Sequence, residues 1–338
     1  MVSELDSFYH KRSVLILGGL GFIGSTLAHL LVKYGAKVTL IDNYLPDHGA
    51  NSFNLEGIRD QVRVHISDLR NREALSVLVK DQDMVFNLAA QTSHLDSMTE
   101  PFLDLDINCR GNLTFLEVCR EQRPDLRVVY VGTRAFYGAP KQTPVSEEAP
   151  LKPLDIYSVN RLAAEQYHFV YHQHYGLPVT SLRLGNLYGP RGQMQHPRYN
   201  VLNYFVRMAL EKRIIQIYGD GLQQRDYVYI EDACNALLLA GASEQAIGKI
   251  YNVGSGGSRS FLDLVQEIIR LSNQGDYQHR DWPKGSKAFD VGDFITDITA
   301  IKKDLNWRPQ TSISEGLGAT IDFYRKHANH YWTQELII

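Results

Sequence analysis

The residue types and spacing that could perform chemistry in this chain include a tyrosine and an arginine one helical turn apart. Tyr157 and Arg161 lie four positions apart in a segment of helical periodicity, so they share one face of a helix. A phenol, whose usual pKa is about 10, can act as an acid or base when a nearby positive charge lowers that pKa. The hydroxyl of Thr133 could hold the substrate oxygen that loses or gains the proton. The same spacing also occurs on inert helix surfaces, so it does not establish a site by itself.

A glycine-rich loop near the N-terminus is typical of dinucleotide binding. The residues Gly18-Gly19-Leu20-Gly21-Phe22-Ile23-Gly24 lie between a predicted strand and a predicted helix. Glycines allow a tight turn and close approach of the backbone to a pyrophosphate, and the helix N-terminus offers unpaired N–H groups to that anion. Asp42 ends the next predicted strand, where a carboxylate can bind the adenosine ribose and repel a 2′-phosphate. We therefore expect NAD rather than NADP, although Asp42 and Asn43 could also begin a simple turn.

The elements that must position these residues alternate between strands and helices. Apolar runs predict strands at 14–17, 38–41, 62–66, 84–88, 128–131 and 179–182, and periodic segments predict helices at 24–34, about 103–120 and about 157–175. This alternation predicts βαβ units with right-handed crossovers. The fold class is therefore α/β, with a Rossmann-type doubly wound parallel sheet.

The pattern changes after Arg183 and predicts a second, smaller α/β lobe. A loop is expected at 185–200, then a helix near 201–213, a strand near 215–218 and a tail, 261–326, with two helical stretches. We expect an NAD-binding domain over 12–184, rejoined by about 226–253. The segments 185–225 and 254–330 would form the substrate-binding lobe.

Composition excludes several other functions. The chain has 338 residues, 44% of them hydrophobic, and a net charge of −3, so no nucleic-acid or membrane partner is expected. Its cysteines, Cys109, Cys119 and Cys234, have no metal-binding spacing, and the polar start lacks the apolar core of a signal peptide. We expect a cytoplasmic protein without a bound metal.

The ordered motifs resemble those of the extended short-chain dehydrogenases/reductases, in the group of NAD-dependent nucleotide-sugar epimerases and dehydratases that includes UDP-glucose 4-epimerase. The resemblance covers nearly the whole chain. Its motifs are the glycine loop, Asp68-Leu69, Asn87-Leu88-Ala89-Ala90, Asn108, Thr133 with Tyr137-Gly138, Tyr157, 184–191, Gly219-Asp220-Gly221 and Arg225-Asp226-Tyr227. It implies a seven-stranded parallel sheet, a substrate cleft beyond the strand C-termini, and a homodimer paired through the helices at about 103–120 and 157–175.

The resemblance also implies roles for particular residues. Thr133, Tyr157 and Arg161 would be catalytic. The cofactor-binding set would be Gly18, Gly21, Phe22, Ile23, Gly24, Asp42, Asn43, Asp68, Leu69, Leu88, Ala89, Ala90, Asn108, Tyr157 and Arg161. Asn186 and Arg225 would hold the nucleotide diphosphate, with Lys287 a further candidate. Position in the chain, rather than the resemblance, suggests three more candidates. His94 lies beyond the fourth strand and could contact the sugar, and His196 lies in the loop after Asn186 and could approach the nucleotide. Arg134 is next to Thr133 and could meet an acidic sugar such as a uronate.

One position departs from the family pattern. Arg161 stands where the family has a lysine, which bonds the nicotinamide ribose and lowers the tyrosine pKa. An arginine keeps the charge but is bulkier and planar, and the two are not interchangeable at a tight site. We therefore hypothesise reduced, altered or specialised chemistry.

The residues after Thr133 narrow the choice of reaction. Family 4,6-dehydratases carry Asp-Glu there and decarboxylases carry a glutamate at the second position, whereas this chain has Arg134-Ala135. Epimerases need neither acid, so epimerisation at C4 through a 4-keto sugar, with NAD as a tightly bound cofactor, is favoured. The alternatives are a 2- or 5-epimerase, a 4-keto reductase, a decarboxylase, or a non-catalytic NAD-binding sensor or scaffold.

Overall fold

A parallel sheet of apolar strands forms the centre of the protein. The computed structural model describes residues 4–45, 48–197, 200–282 and 291–332. Within them, seven parallel strands lie in the order β11-β6-β5-β4-β1-β2-β3. Their bounds are β1 Ser13–Leu17, β2 Lys37–Asp42, β3 Val62–Ile66, β4 Met84–Asn87, β5 Arg127–Thr133, β6 Val179–Leu184 and β11 Ile250–Val253. The predicted seven-stranded Rossmann-type sheet is confirmed.

Helices cover both faces of this sheet. The α-helices of the described residues are α1 Glu4–Tyr9, α2 Phe22–Lys33, α3 Arg72–Leu78, α4 His94–Thr99, α5 Pro101–Asp104, α6 Gly111–Gln122, α7 Ile156–Tyr175, α8 Val201–Leu210, α9 Ile230–Ala242, α10 Phe261–Ser272, α11 Thr299–Leu305 and α12 Ile313–His327. Along β1, Val14 and Ile16 join the core beneath α2 and α9, whereas Leu15 and Leu17 join the core beneath α3, α6 and α7. Successive side chains of a strand point to opposite faces of the sheet, so both faces of β1 are buried.

The C-terminal part of the chain builds small strand pairs outside the main sheet. The pairs are β7 Asn186–Tyr188 with β10 Tyr227–Tyr229, β8 Ile214–Tyr218 with β13 Asp276–Arg280, and β9 Gln224–Arg225 with β12 Arg259–Ser260. The helices α8, α10 and α12 pack on one another beside them. After β10, α9 and β11 return to the main sheet, because β11 pairs with β6.

Several local predictions were wrong. The segment 185–200 contains β7, and the tail contains α10, α11 and α12 rather than two helical stretches. The helix predicted at 103–120 is three consecutive pieces, α5, a π-helix at Leu105–Arg110, and α6. Periodicity does not reveal a widened turn, because one π turn inserts only a single residue into the pattern.

Candidate active site

A deep cleft opens where the strands of the main sheet end. Its volume is about 610 Å³, and its walls come from the ends of β1, β2, β4, β5 and β6, the start of α7, and β7. The predicted site residues that line it are Gly18, Gly21, Phe22, Ile23, Gly24, Asp42, Asn43, Asp68, Leu69, Leu88, Ala89, Ala90, His94, Thr133, Arg134, Tyr157, Arg161, Asn186 and Arg225. Residues from nearly the whole chain therefore meet in one concave surface, as the switch point of a doubly wound sheet requires.

Three candidates do not line this cleft. Asn108 is completely buried behind it, so it acts on the site through other residues rather than as a cleft-lining cofactor contact. His196 also lies away from the cleft walls, and its carbonyl accepts a hydrogen bond from Gln193. Lys287 lies outside the described residues.

Three of the four glycines in the loop differ in what a side chain would meet there. Gly18 has φ +82°, and a Cβ there would lie 3.1 Å from the Ala89 nitrogen. A Cβ on Gly24 would lie 2.1 Å from the Gly18 carbonyl oxygen, so the close packing of α2 on the loop excludes a side chain. A Cβ on Gly21 would meet nothing closer than that same oxygen, at 3.6 Å. Packing within the protein therefore explains Gly18 and Gly24, whereas Gly21 faces the open cleft.

The N-terminus of α2 points its free amides toward that open space. Gly21 is its N-cap residue and supplies no side-chain oxygen to the first turn. The amides of a first turn have no partner within the helix and carry a partial positive charge. This arrangement fits a pyrophosphate group of a dinucleotide.

Asp42 holds the loop as well as facing the cleft. Its Oδ2 accepts a hydrogen bond from the Leu20 amide at 2.9 Å, and its Oδ1 accepts one from the Tyr44 amide at 2.9 Å. Burial raises the pKa of Asp42 above its usual value, although both amide hydrogen bonds oppose the rise. Carboxylate oxygens retain further lone pairs, so the group can also accept bonds from a ribose.

A second acidic group, Asp68, is fixed beside it by an arginine. The Nε and Nη2 atoms of Arg70 each donate to Asp68 at 2.8 Å, and the Asn43 amide donates to the same carboxylate at 2.9 Å. Burial alone would raise the pKa of Asp68, but the hydrogen bonds from Arg70 outweigh it and hold the pKa at about 2. Arg70 was missed by the sequence reasoning, since a charged residue after a strand carries no pattern of its own.

Tyr157 and Thr133 meet at the centre of the cleft. Tyr157 comes from the first turn of α7 and Thr133 from the last position of β5, and both residues line the cleft. The Thr133 hydroxyl also accepts a bond from the Ala135 amide at 3.2 Å, which fixes its direction. Burial raises the pKa of Tyr157, and Arg161 and Thr133 only partly oppose that rise. The expected net lowering is therefore not a property of these side chains alone.

The side chain of Arg161 is hydrogen-bonded to the backbone near the ends of two neighbouring strands, β4 and β5. Its Nη1 donates to the Ala89 carbonyl at 3.1 Å, and its Nη2 donates to the Val131 carbonyl. The guanidinium lies 4.7 Å from the centre of the Tyr130 ring, a cation–π distance. Its Nε is buried without a hydrogen-bond partner in the described part of the chain. The planar fork spans two carbonyls, which a single ammonium group does less well.

The π-helical segment explains the position of Asn108. Its side chain accepts from the Gln91 amide at 3.1 Å and donates to the Gln91 carbonyl at 2.8 Å. It also donates to Asp104 at 2.9 Å, and Asp104 in turn accepts from Asn160 on α7 at 2.8 Å. Asn108 therefore fixes the loop after β4 and ties it to α7.

His94 lies against Tyr157 and is paired with Asp155. The His94 Nδ1 is 2.5 Å from Asp155 Oδ2, and the His94 and Tyr157 rings meet edge to face with centres 4.8 Å apart. Both His94 and Asp155 line the cleft. Burial would raise the pKa of Asp155, but the hydrogen bond and charge of His94 outweigh it, so that pKa is lowered. The sequence reasoning missed Asp155, because an Asp before a helix usually signals only a cap.

Two arginines line the cleft, one directly after β5 and one at the end of β9. The Arg134 Nε donates to Asn186 Oδ1 at 2.9 Å, and its guanidinium lies 5.1 Å from the centre of the Phe294 ring. Arg225 is almost completely buried and donates to the Gln224 carbonyl at 3.0 Å and to the Gly292 carbonyl. Guanidinium groups at this wall suit phosphate or carboxylate oxygens.

The described residues contain neither a metal-binding cluster nor a membrane-spanning helix. Over 4–45, 48–197, 200–282 and 291–332, no group of three or more His, Cys, Asp or Glu side chains could hold a metal ion. None of the helices found there is long and apolar enough to cross a bilayer.

Comparison with known proteins agrees with this geometry. The profile of the NAD dependent epimerase/dehydratase family matches residues 14–254. A UDP-glucose 4-epimerase of Mycolicibacterium smegmatis is 30% identical over 92% of this chain and 98% of its own length. A dTDP-glucose 4,6-dehydratase of Xanthomonas campestris pv. campestris is 29% identical over 96% of this chain and 95% of its own.

A solved structure shares the fold throughout. The UDP-glucose 4-epimerase of Thermus thermophilus, solved with NAD, superposes with a TM-score of 0.83 at 30% identity, covering 93% of this chain and 99% of the other. The uncapped α2 terminus, the open position at Gly21 and the carboxylate of Asp42 fit the same cofactor. The chain belongs to the NAD dependent epimerase/dehydratase family, enzymes of the extended short-chain dehydrogenase/reductase type that act on nucleotide sugars.

Proposed function

We propose that this enzyme inverts C4 of a nucleotide-activated sugar through a transient 4-keto intermediate. The observation that carries the proposal is the Tyr157–Thr133 pair with Arg134 and Ala135 beside it on the cleft wall. In the 4,6-dehydratases of the family, the acid and the base that eliminate water across C5 and C6 are the two residues directly after the threonine. Neither Arg134 nor Ala135 can serve as one, so hydride transfer is the chemistry that the pair supports.

Tyr157 and Thr133 have different roles in the proton transfer. Tyr157, as the phenolate, takes the proton of the sugar 4-hydroxyl while Thr133 hydrogen-bonds the same oxygen, and Tyr157 later returns the proton. The glycine loop and Asp42 would hold NAD, which would supply a hydride acceptor for C4 and, after the 4-keto sugar turns in the cleft, the hydride for its other face. The cofactor is regenerated in each cycle, so no external reductant is needed.

Arg161 acts on this step through charge. A buried phenolate is unfavourable, and the charge of Arg161 opposes the effect of burial on the pKa of Tyr157. Both Nη groups of Arg161 are bonded to backbone carbonyls, so its charge is held in place. We infer that Arg161 replaces the electrostatic part of the family lysine's role, with less freedom to bond a ribose.

The wall near the smaller lobe would bind the diphosphate and the sugar. Asn186 and Arg225 are assigned to the nucleotide diphosphate, because both line the cleft and guanidinium binds phosphate oxygens in pairs. Arg134, next to Thr133 in the chain, would face the sugar and favour a carboxylate on it.

A homodimer is proposed from an apolar surface formed by α5, the π-helix, α6 and α7. Its exposed members outside the cleft are Phe102, Leu103, Leu105, Leu113, Val159 and Val170. Phe102 is 81% exposed, an unfavourable state for so large an apolar side chain. A twofold contact between copies would bury this surface.

Light scattering on two matched variants tests the dimer. Phe102→Glu places a charge in the proposed contact and should give a monomer. Val77→Glu places the same charge on α3, where Val77 is 68% exposed, and should leave the dimer intact. A wild-type monomer, or equal behaviour of the two variants, would contradict the proposed contact.

Proton NMR tests the reaction itself. The purified protein is incubated with UDP-, GDP-, CDP- and dTDP-sugars without added reductant, and with Tyr157→Phe as the control. Interconversion of two C4 epimers by wild type alone supports the proposal and names the sugar. A new C6 methyl signal would indicate dehydration, and loss of a carboxyl group would indicate decarboxylation. Turnover only with NADH or NADPH would indicate a reductase.

A further inference from the structure

His94 and Asp155 form a hydrogen-bonded pair that C4 epimerisation does not use. Tyr157 removes and returns one proton, so the proposed reaction is complete without a second acid–base group. Yet an imidazole stands beside Tyr157, with its ring centre 4.8 Å from the phenol ring and its Nδ1 2.5 Å from a carboxylate oxygen. The His94–Asp155 pair is therefore available for a separate proton transfer in the cleft.

Asp155 holds the histidine in one orientation. It is the N-cap residue of α7, and its Oδ1 accepts from the Ser158 amide at 2.8 Å and from the Ser158 hydroxyl at 2.6 Å. The other oxygen, Oδ2, is thereby directed at His94. A carboxylate on Nδ1 fixes the imidazole tautomer that carries its proton there and leaves Nε2 as the basic nitrogen. The same carboxylate stabilises the imidazolium after Nε2 takes up a proton.

His94 is accessible from the cleft. Its side chain is 48% exposed, whereas that of Asp155 is 10% exposed, and both lie in the wall that also contains Thr133 and Tyr157. The buried carboxylate of Asp155 therefore orients the exposed imidazole of His94, as in other carboxylate–histidine pairs that transfer protons. A pair that only bridged α4 to α7 would not need to stand in the wall of the cleft.

We propose that the His94–Asp155 pair exchanges a proton at the sugar carbon next to the C4 keto group, C3 or C5. This inference rests on the proposed function, because only the 4-keto intermediate makes those C–H bonds acidic. Neutral His94 takes the proton at Nε2, and the electron pair of the broken C–H bond forms the enolate of the 4-keto sugar. Imidazolium then returns a proton to the same carbon, so neither an oxidant nor a reductant is consumed.

The proposal adds a second stereocentre to the chemistry of this cleft. The Nε2 proton of the His94 imidazolium exchanges with solvent, so its return to the original face replaces the carbon-bound hydrogen with one from solvent. If the enolate turns in the cleft before the proton returns, the same imidazolium reaches the opposite face and inverts C3 or C5. The ligand class is a nucleotide-activated 4-keto sugar, formed in the cleft or supplied by another enzyme.

Proton NMR in D2O separates the two steps. In C4 epimerisation the hydrogen on C4 leaves and returns as a hydride, so that step puts no deuterium on carbon. With a substrate that the wild type interconverts at C4, we expect the H3 or H5 signal to decrease as deuterium enters from solvent. The quantity measured is deuterium incorporated per C4 inversion.

Four variants show whether this incorporation depends on the pair. His94→Gln should lower the ratio at least tenfold. Asp155→Asn should also lower it, because asparagine still caps α7 but cannot stabilise the imidazolium. His174→Gln, an exposed histidine at the end of α7, should match wild type. Tyr157→Phe should abolish both C4 inversion and incorporation, because no keto sugar forms.

The outcomes for the two proposals are distinct. C4 inversion without deuterium on carbon overturns the role of the pair and leaves the proposed function standing. Incorporation that His94→Gln does not change assigns the exchange to another group and also overturns it. Absence of C4 inversion by the wild type refutes the proposed function, and this inference is refuted with it.

Discussion

Alanine at Gly21 and alanine at Gly24 should damage the protein in different ways, although both place one methyl group in the same loop. A Cβ at Gly24 would lie 2.1 Å from the Gly18 carbonyl oxygen, which is backbone and cannot rotate away. Forced overpacking of this kind costs about 1–3 kcal/mol, and a backbone clash belongs at the upper end. A Cβ at Gly21 has 3.6 Å to that oxygen, so the cofactor-free protein should keep its stability.

The effect of Gly21→Ala should appear only when NAD is present. Its methyl group would occupy cleft space in front of the free amides of α2, where the pyrophosphate is expected. With NAD at about 100 times the wild-type Kd, binding stabilises the fold by about 2.7 kcal/mol. A tenfold weaker Kd at the same concentration leaves about 1.4 kcal/mol, so half of the NAD-dependent stabilisation should vanish.

Thermal unfolding with and without NAD, after removal of copurified cofactor, measures both effects. Gly24→Ala should lower Tm in both conditions. Gly21→Ala should match wild type without NAD and fall below it with NAD, and calorimetric titration should show the weaker Kd. The reasoning is refuted if Gly21→Ala lowers the cofactor-free Tm as much as Gly24→Ala, or if it binds NAD as tightly as wild type.

Three further predictions concern charged residues of the cleft. Arg161→Lys should lower Tm by several degrees, because loss of one charge-assisted hydrogen bond costs about 1.5–3 kcal/mol, and should move the pH at which turnover is half-maximal; unchanged Tm and pH profile would contradict the anchoring role. The pKa of Asp68, about 2 in the folded protein, lies below its unfolded value, so the Asp68–Arg70 pair should stabilise the fold fully above about pH 4 and lose that effect as the pH falls toward 2. The free energies of unfolding of wild type and Arg70→Ala, measured by denaturant titration, should therefore converge in acid. A difference between them that does not depend on pH would contradict this prediction. Arg134→Ala should lower kcat/KM for a uronate relative to the matching hexose about tenfold, the equivalent of one bond to a carboxylate; an unaltered preference in a competition assay would exclude this role.

The sequence predicted the sheet well because each central strand is buried on both faces. Runs such as Val14-Leu15-Ile16-Leu17 have no polar face and therefore stand out without any knowledge of the fold. The glycine loop was recognisable because its spacing satisfies two constraints at once, the turn at Gly18 and the close packing at Gly24. Such local constraints leave a trace in local sequence.

The features that were missed depend on contacts between distant segments. Asp155 and His94 lie 61 positions apart, and nothing in either neighbourhood announces the other. Asn108 was expected at the cofactor, but the π-helical turn places it behind the cleft on the backbone of Gln91. The pKa of Tyr157 also depends on the whole environment, since burial outweighs the adjacent charge that the spacing revealed.

The carboxylate of Asp42 has a consequence for any change of cofactor preference. The same group that would reject a 2′-phosphate also holds the Leu20 and Tyr44 amides through its two oxygens. A substitution of Asp42 that admits the 2′-phosphate therefore also removes the hydrogen bonds that hold the glycine loop when no cofactor is bound. The cofactor must then order that loop as it binds, which lowers its affinity. Selectivity and preorganisation share one side chain here. An engineered switch of cofactor would need a second, compensating substitution to hold the loop, and a lineage that made the switch by single steps would pass through a weaker binder of both cofactors.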